Sequence, residues 1–282
     1  MESAPSSALQ EARVALGGRL REIRRAGGFK TARAFATRAG WSESKASRIE
    51  NGITQPSEND LRQYADLCQV PDMYSDLAAT AHNIDEMYVE WRLHRDGLRP
   101  VQESHVPLYD RTRHFRIYEP GVIPGLLQTP AYARSIMSRI IGFWGIPDDT
   151  EDAVAVRMSR QQVLRDAHRR FGILMEETAL RSRFGDAEVM ATQLGHFLAV
   201  SVLQQVSLGI VPMTADRTMW PLEGFWIYDD NQVVIELATA QVTVKQPSEI
   251  ATYTRMFSEL TQIAVFGKSA RALITEAVNV LE

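Results

Sequence analysis

Hydrogen-bonding side chains crowd one short stretch of the sequence, residues 43–51. In a helix over this stretch only Ala46 and Ile49 would face inward. An exposed polar surface would then be formed by Glu43, Ser44, Lys45, Ser47, Arg48 and Asn51. That surface combines hydroxyl, carboxylate and cationic groups, which can hydrogen-bond to base edges when a helix lies in the major groove of DNA. The predicted base-contacting side chains are those of Glu43, Ser44, Lys45, Ser47 and Arg48.

A second short helix must hold this surface in place, and the sequence predicts one over residues 32–39. Small or apolar residues recur there at positions 32, 35, 36 and 39, which is the spacing of a buried helical stripe. Gly40 would end that helix, Trp41 would anchor the turn in a core, and Ser42 would cap the next helix. Other side chains near these helix ends are predicted to contact the DNA backbone, and the full set is Thr31, Arg33, Ser42, Asn51 and Gln55.

The run Gly-Trp-Ser-Glu-Ser-Lys-Ala-Ser-Arg-Ile-Glu-Asn-Gly, residues 40–52, resembles the helix-turn-helix of the phage-repressor-like (Xre-type) regulators. The turn glycine, the capping serine, the Ser-Arg-Ile-Glu segment and the closing Asn-Gly all fall in that family's register. The resemblance implies that the second helix reads bases. One position departs from the family, because Ala32 follows Thr31 where many members have a glutamine that braces the DNA backbone. Phosphate contacts must then come from elsewhere, such as Thr31, Arg33 or Lys30.

The charge of the chain is divided in a way that suits DNA binding. The 282 residues carry a net charge of −4, but residues 1–52 hold ten Lys and Arg against five Asp and Glu. This stretch is therefore at +5 and the rest of the chain at −9. Attraction to phosphate requires positive charge beside the reading helix. A solvated basic surface is the alternative, and the helix-turn-helix pattern beside it favours DNA binding.

Composition indicates a folded protein of the cell interior. Hydrophobic residues make up 45% of the chain, which is enough to bury a core. No apolar run reaches the roughly 18 residues of a membrane span, and the N-terminus lacks the layout of a signal peptide. The single cysteine, Cys68, is interpreted as a small core residue rather than a redox sensor. We expect a cytoplasmic protein that associates with the nucleoid when it is bound to DNA.

Turns and helix caps divide the chain into four segments. The predicted fold class is mainly α with a second α+β domain, in which helices cover a small antiparallel sheet made of short β-branched runs. The segments are a disordered tail (1–8), a helix-turn-helix DNA-binding domain of four or five helices (9–71), a helical connector (72–118) and a C-terminal α+β domain for regulation, dimerisation or partner binding (119–282).

A second informative stretch is Tyr118–Ala133. Two Pro-Gly pairs predict successive turns, and Thr129-Pro130 predicts a helix start. The stretch resembles the signature of the C-terminal domain of actinobacterial antitoxin-like transcriptional regulators, and residues 157–164, 176–180 and 190–198 follow in that group's order. The resemblance implies a regulator that can be encoded beside a small partner protein and can act with it in a toxin–antitoxin-like or developmental switch.

The sequence does not indicate catalysis, a metal or a cofactor. The six histidines have no metal-ligand spacing, and no dinucleotide-binding or phosphate-loop signature occurs. Glu176 and Glu177 are adjacent, and on a strand adjacent side chains point to opposite faces, so they would not cooperate as acid and base. Four aromatic residues could line a small-molecule cavity, although a plain core is the favoured interpretation; they are Trp220, Phe225, Trp226 and Tyr228.

Two functions remain open. The first is a sequence-specific transcriptional regulator that receives a partner-protein or small-molecule signal through its C-terminal domain. We expect a homodimer on a near-palindromic operator, because one short helix makes too few base contacts for strong discrimination. The second is an antitoxin-like protein that mainly binds and neutralises a small partner protein, with autoregulatory DNA binding.

Overall fold

The structure, a computed structural model, describes residues 7–93, 96–237 and 241–281. These residues form two compact units. The first extends to Val89 and includes residues 242–249, and the second comprises residues 90–241 and 250–282. Most of the predicted disordered tail, residues 1–6, lies outside the described residues, while Ser7 and Ala8 belong to the first helix.

The first unit is a helical bundle around an apolar core that includes Phe35, Ile49 and Tyr64. Cys68 is buried in this core, as predicted. The bundle continues past the predicted boundary at residue 71, because Leu77 and two later residues of the fifth helix pack into the same core. Its helices are α1 (Ser7–Ala26), α2 (Ala32–Ala39), α3 (Glu43–Glu50), α4 (Glu58–Leu67) and α5 (Tyr74–Leu93), with a 3-10 turn at Pro71–Met73.

The second unit combines helices with a sheet. The predicted helical connector is wrong in its last part, because a strand begins at His114 and its central residues Phe115 and Ile117 are fully buried. The helices of this unit are α6 (Arg99–Ser104), α7 (Val106–Arg111), α8 (Pro130–Trp144), α9 (Thr150–Arg160), α10 (Glu177–Arg181), α11 (Ala187–Val200), α12 (Pro247–Ile263) and α13 (Gly267–Asn279). The strands of the sheet are β1 (His114–Glu119), β2 (Arg170–Glu176), β3 (Val206–Val211), β4 (Phe225–Tyr228), β5 (Gln232–Glu236), β6 (Gln241–Val244) and β7 (Val265–Phe266). Residues 242–244 of β6 and the first three residues of α12 are counted with the first unit.

The sheet is mixed rather than antiparallel, which corrects the predicted topology. The strand order is β6-β5-β4-β1-β2-β3-β7. At its centre β1 pairs in parallel with β2, and β2 pairs in parallel with β3. Helices fill both crossovers, since α8 and α9 lie between β1 and β2, and α10 and α11 lie between β2 and β3. Such helical crossovers are what parallel pairing requires. Antiparallel pairs in the described part of the sheet include β1 with β4, β4 with β5 and β3 with β7.

The predicted fold class is confirmed, because a helical bundle precedes an α+β unit whose sheet is covered by helices. The core of the second unit lies between the sheet and α8, α11 and α13, with Phe171, Ile173, Leu194 and Ile274 among its buried members. Within the described part of the chain no helix is long and apolar enough to cross a membrane.

Candidate nucleic-acid interface

The turn between α2 and α3 is built by the residues that the sequence indicates. Thr31 caps α2, since its Oγ1 accepts a hydrogen bond from the Ala34 N–H at 3.1 Å. Gly40 follows α2 with a φ of 71°, which a glycine adopts without steric cost. The Trp41 N–H then donates to the Ala36 carbonyl at 2.8 Å. These bonds fix the direction in which the chain enters α3.

The outer surface of α3 carries most of the predicted base-contacting residues. Ser42 caps the helix by accepting from the Lys45 N–H at 3.2 Å. Ala46 and Ile49 are buried in the core, so the opposite side of α3 faces solvent. Four of the five predicted side chains are exposed there, namely Glu43, Ser44, Ser47 and Arg48. We call these four residues the α3 face.

Lys45 differs from the α3 face. Its ammonium Nζ lies 2.6 Å from Oδ1 of Asp60 on α4 and 4.3 Å from the centroid of the Trp41 ring. Burial acts to raise the pKa of Asp60, but hydrogen bonds from Lys45 and from Ser57 outweigh it, so the pKa lies below its usual range. Lys45 therefore attaches α3 to α4, and its charge is already balanced within the bundle.

Arg48 and Asn51 link α3 to the loop that follows it. The Arg48 Nε donates to Thr54 Oγ1 at 3.0 Å, and the Arg48 carbonyl accepts from the Ile53 and Thr54 N–H groups. Asn51 Nδ2 donates to the Ser47 carbonyl at 2.9 Å, while its Oδ1 accepts from Arg21 at 2.6 Å. Both side chains remain exposed while these bonds limit their freedom.

Arg33 and Gln55, two further residues predicted to contact the DNA backbone, differ in their exposure to solvent. Arg33 is 79% exposed on α2, and its Nε is 4.0 Å from a carboxylate oxygen of Glu43, so it extends the α3 face with a cation. Gln55 points inward instead, because its Nε2 donates to the Ala81 carbonyl at 2.8 Å. Among the residues predicted to contact the DNA backbone, four are exposed and Gln55 is half-buried. The exposed four are Thr31, Arg33, Ser42 and Asn51.

A buried ion pair holds the inner side of α3 and was not predicted from the sequence. Arg24 on α1 donates to both carboxylate oxygens of Glu50, from Nε at 2.6 Å and from Nη2 at 2.9 Å. Tyr64 donates to the same carboxylate at 3.2 Å. Both charged side chains are about 96–97% buried. The available signal was spacing, since Glu50 shares the inward stripe of Ala46 and Ile49.

In the second unit, Glu176 and Glu177 have separate partners. Glu176 is the last residue of β2, whereas Glu177 is the first residue of α10. The prediction that both lie on one strand and point to opposite faces is therefore wrong. The Tyr118 hydroxyl donates to Glu176 at 2.8 Å, and Arg217 also pairs with this carboxylate. Glu177 accepts from Arg181 at 2.9 Å and from the Met213 N–H at 3.0 Å. Each carboxylate is therefore held by an arginine and by one further hydrogen-bond donor.

Comparison with known families identifies both parts of the chain. Residues 15–74 match the helix-turn-helix domain, so the first unit contains a DNA-binding helix-turn-helix. Residues 102–276 match a domain of unknown function, DUF5753, and the chain belongs to that family. No curated protein and no solved structure matches the chain. The helix-turn-helix part of the predicted resemblance is confirmed, while its Xre-type and antitoxin-like details stay predictions.

Proposed function

We propose that the protein is a sequence-specific transcriptional regulator that places α3 in the major groove of DNA. The observation that carries this proposal is the α3 face, whose four polar side chains are exposed on a helix held from behind by its core residues and by the Arg24–Glu50 pair. A helix so held can present donors and acceptors to base edges in one fixed orientation. The family match to a helix-turn-helix domain supports the same function.

Phosphate contacts in this proposal come from the ends of α2 and α3. Thr31 and Ser42 cap the two helices, and helix N-termini attract phosphate through their free N–H groups. Arg33 adds an exposed cation beside them. Lys45 contributes in a different way from the sequence prediction, because its pairing with Asp60 orients α3.

The proposal includes a homodimer that binds a near-palindromic operator in the cytoplasm. The α3 face has four side chains, and each good base contact discriminates by only about 1–3 kcal/mol. Two copies of α3 on half-sites one helical turn apart would double the number of contacts. The proposal assigns no catalytic step to the second unit, which is the part left to receive a signal.

Selection from a pool of random DNA duplexes tests the function. The full chain should enrich a motif with two related half-sites about 10–10.5 base pairs apart, as two-fold helix-turn-helix dimers do. A Ser44→Ala/Ser47→Ala/Arg48→Ala variant should enrich no motif, because these substitutions remove donors and acceptors without touching the core. The matched control is Arg255→Ala, at an exposed position of α12. Failure of the wild type to enrich any motif would overturn the proposal.

The antitoxin-like alternative stays a prediction of the sequence resemblance. A regulator needs the α3 face for its function, whereas an antitoxin-like protein needs it only for autoregulation. A protein that mainly neutralises a small partner should still do so after the triple substitution in the α3 face. Co-expression with a small protein encoded beside the gene, of the kind that the resemblance implies, distinguishes the two functions when growth is scored.

A further inference from the structure

The second unit contains a cavity of about 240 Å³ beside the β1, β4 and β5 strands. All of its lining residues fall within the part of the chain that matches DUF5753. Glu119 and Gln128 come from the Pro-Gly stretch at 118–133, and Arg157 and Arg160 come from the segment at 157–164. The two stretches that carry the second sequence resemblance therefore meet at this cavity.

Two arginines of α9 form its cationic wall. Gln102 Oε1 accepts from Arg157 Nε at 3.1 Å and also from Arg160 Nη2, while Arg157 Nη1 donates to Gln128 Oε1 at 2.7 Å. These acceptors are neutral amides. Arg160 is buried, and its Nε and Nη1 have no hydrogen-bond partner among the described residues. The Arg160 guanidinium also lies 4.8 Å from the centroid of the Tyr109 ring. The wall therefore holds two cations that share one amide acceptor, and in the described part of the chain no carboxylate forms an ion pair with either of them.

The other titratable groups of the cavity do little to balance this charge. Burial raises the pKa of Glu119 to about 8, although the Trp226 indole N–H donates to its carboxyl at 2.7 Å, so it is mostly neutral at pH 7. Burial, followed by the fields of the two arginines, lowers the pKa of His105 to about 3, which leaves the ring neutral. Glu236 also lines the cavity, from the end of β5, and its field acts to raise the pKa of Arg157, but its side chain is exposed and it forms no ion pair with either arginine in the described part of the chain. Burial lowers the pKa of Arg157 only to about 10, so it stays charged.

The lining also includes aromatic rings and aliphatic side chains. Tyr109 and Trp226 stack with their ring centroids 6.0 Å apart, and Trp226 stacks with Tyr228 at 6.2 Å. Val122 and Ile140 are among the aliphatic side chains that line the space. A cavity of about 150 Å³ can hold benzene. A volume of 240 Å³ therefore suits one ring with a short acidic substituent.

We propose that this cavity binds a small organic carboxylate with a flat apolar body. The carboxylate would supply the negative charge that the Arg157–Arg160 wall lacks, and the body would lie against the aromatic rings. Buried charges without partners are costly, and an anionic ligand removes that cost. This proposal goes beyond DNA recognition and does not depend on it, because it concerns binding within the second unit.

Direct binding to the full chain tests the proposal without DNA. The probes are benzoate, phenylacetate and indole-3-acetate, each paired with its neutral amide, together with acetate and inorganic phosphate as anions without an apolar body. Saturation-transfer NMR detects binding, and calorimetry measures Kd. At least one aromatic carboxylate should bind with a Kd below about 1 mM. Its amide should bind at least about 10-fold more weakly, because a charge-assisted hydrogen bond is lost.

Three variants locate the binding. Arg157→Gln and Arg160→Gln should each weaken the best carboxylate by about 10-fold or more. Ile140→Trp should block it by filling the cavity while leaving both arginines in place. Arg165→Gln, at an exposed position in the 3-10 helix Gln161–Arg165 that follows α9, is the matched control and should bind as the wild type does. Thermal unfolding identifies any variant that fails to fold.

Four results would overturn the proposal. One is that no aromatic carboxylate binds with a Kd below about 1 mM. Another is that the amides bind as tightly as the acids, which would show that the arginines are not used. A third is that acetate or phosphate binds as tightly as the aromatic acids, which would exclude an apolar body. The last is that the folded Ile140→Trp variant still binds, which would place the ligand elsewhere.

Discussion

Two buried arginines of this chain have opposite surroundings. In the first unit, Arg24 donates to both oxygens of Glu50, and Tyr64 completes the network. In the second unit, Arg160 donates a hydrogen bond to the amide oxygen of Gln102 and lies 4.8 Å from the centroid of the Tyr109 ring, but two of its nitrogens have no hydrogen-bond partner in the described structure. The first arginine is balanced inside the protein, whereas the second lies at a cavity with its charge unbalanced.

The different surroundings of Arg24 and Arg160 indicate a structural role for the first and a ligand-binding role for the second. A buried cation with a complete set of partners holds elements together, and here it fixes the inner side of α3. A buried cation without a counter-charge costs stability, and such a cost is typical of sites that bind a ligand. The α3 face itself belongs to neither class, because its polar side chains are exposed to solvent.

The largest effect is expected from Arg24→Met. This substitution leaves the buried Glu50 carboxylate without its cation, and breaking a buried pair in this way costs about 3–5 kcal/mol. Hydrogen exchange measured on peptides of α1 to α4 reports the stability of the first unit. Arg25→Met, at an exposed position on the same helix, is the control and should change little. A loss below about 1 kcal/mol for Arg24→Met would contradict the structural role.

A smaller effect is expected for the stability of the second unit as pH changes the ionisation of Glu119. Its pKa in the folded protein is about 8, above the usual 4.5, so the folded state holds this proton more tightly than the unfolded state does. Stability is therefore highest below pH 4.5 with respect to this group and is lost as pH rises towards 8. The loss is on the order of 2–4 kcal/mol.

Glu119→Gln should remove that pH dependence, because the amide does not titrate. Thermal unfolding of the second unit at pH 5.5 and 8.5 measures the difference between variant and wild type. Glu103→Gln, at an exposed position of α6, serves as the control. Equal pH slopes for wild type and Glu119→Gln would show that the carboxyl titrates normally.

Arg160→Met should be neutral or stabilising by about 1 kcal/mol, the reverse of Arg24→Met. The methionine removes a buried charge that no carboxylate balances, and replacing such charges by apolar side chains of similar size is often tolerated. Chemical unfolding without added ligand gives the comparison. A loss as large as that of Arg24→Met would mean that Arg160 is structural, and the distinction between the two arginines would fail.

The smallest effect concerns the Lys45–Asp60 pair. Lys45 is 42% exposed, so solvent screens the pair, and a double-mutant cycle with Lys45→Met and Asp60→Asn should give a coupling of about 0.5–1 kcal/mol. Each single variant should also weaken DNA binding slightly, because α3 is less firmly oriented. Lys45→Arg, which keeps the charge, should retain most of the affinity. If Asp60→Asn leaves DNA binding unchanged while Lys45→Met abolishes it, Lys45 contacts DNA directly.

Local signals made the first unit predictable. Gly40, Ser42 and the apolar stripe of α2 act within a few residues, and the structure places the turn and caps where the sequence predicts them. The buried ion pair of Glu50 does not follow from local signals, because its partner Arg24 is 26 residues away in sequence. Its inward position would have been visible from helical spacing, but acidic residues are rarely buried unless paired.

Long-range pairing made the second unit harder to predict. Strand β1 is short, and its burial follows from its place between β2 and β4, which only the assembled sheet determines. Local patterns do not indicate parallel pairing for the same reason, although Thr129-Pro130 does predict the start of α8 between β1 and β2. The four aromatic residues considered as cavity lining or core have different positions. Trp226 and Tyr228 line the cavity, Phe225 is buried, and Trp220 is 62% exposed.

The most direct test of DNA reading by α3 is a salt titration of binding to the selected DNA and to random DNA. The wild type should prefer the selected site, and the logarithm of its affinity should fall linearly with the logarithm of salt concentration. Ser44→Ala/Ser47→Ala/Arg48→Ala should lose the preference but keep most of the binding to random DNA, since Arg33 and the helix N-termini remain. If the triple variant kept the full preference for the selected site, α3 would not be the reading helix.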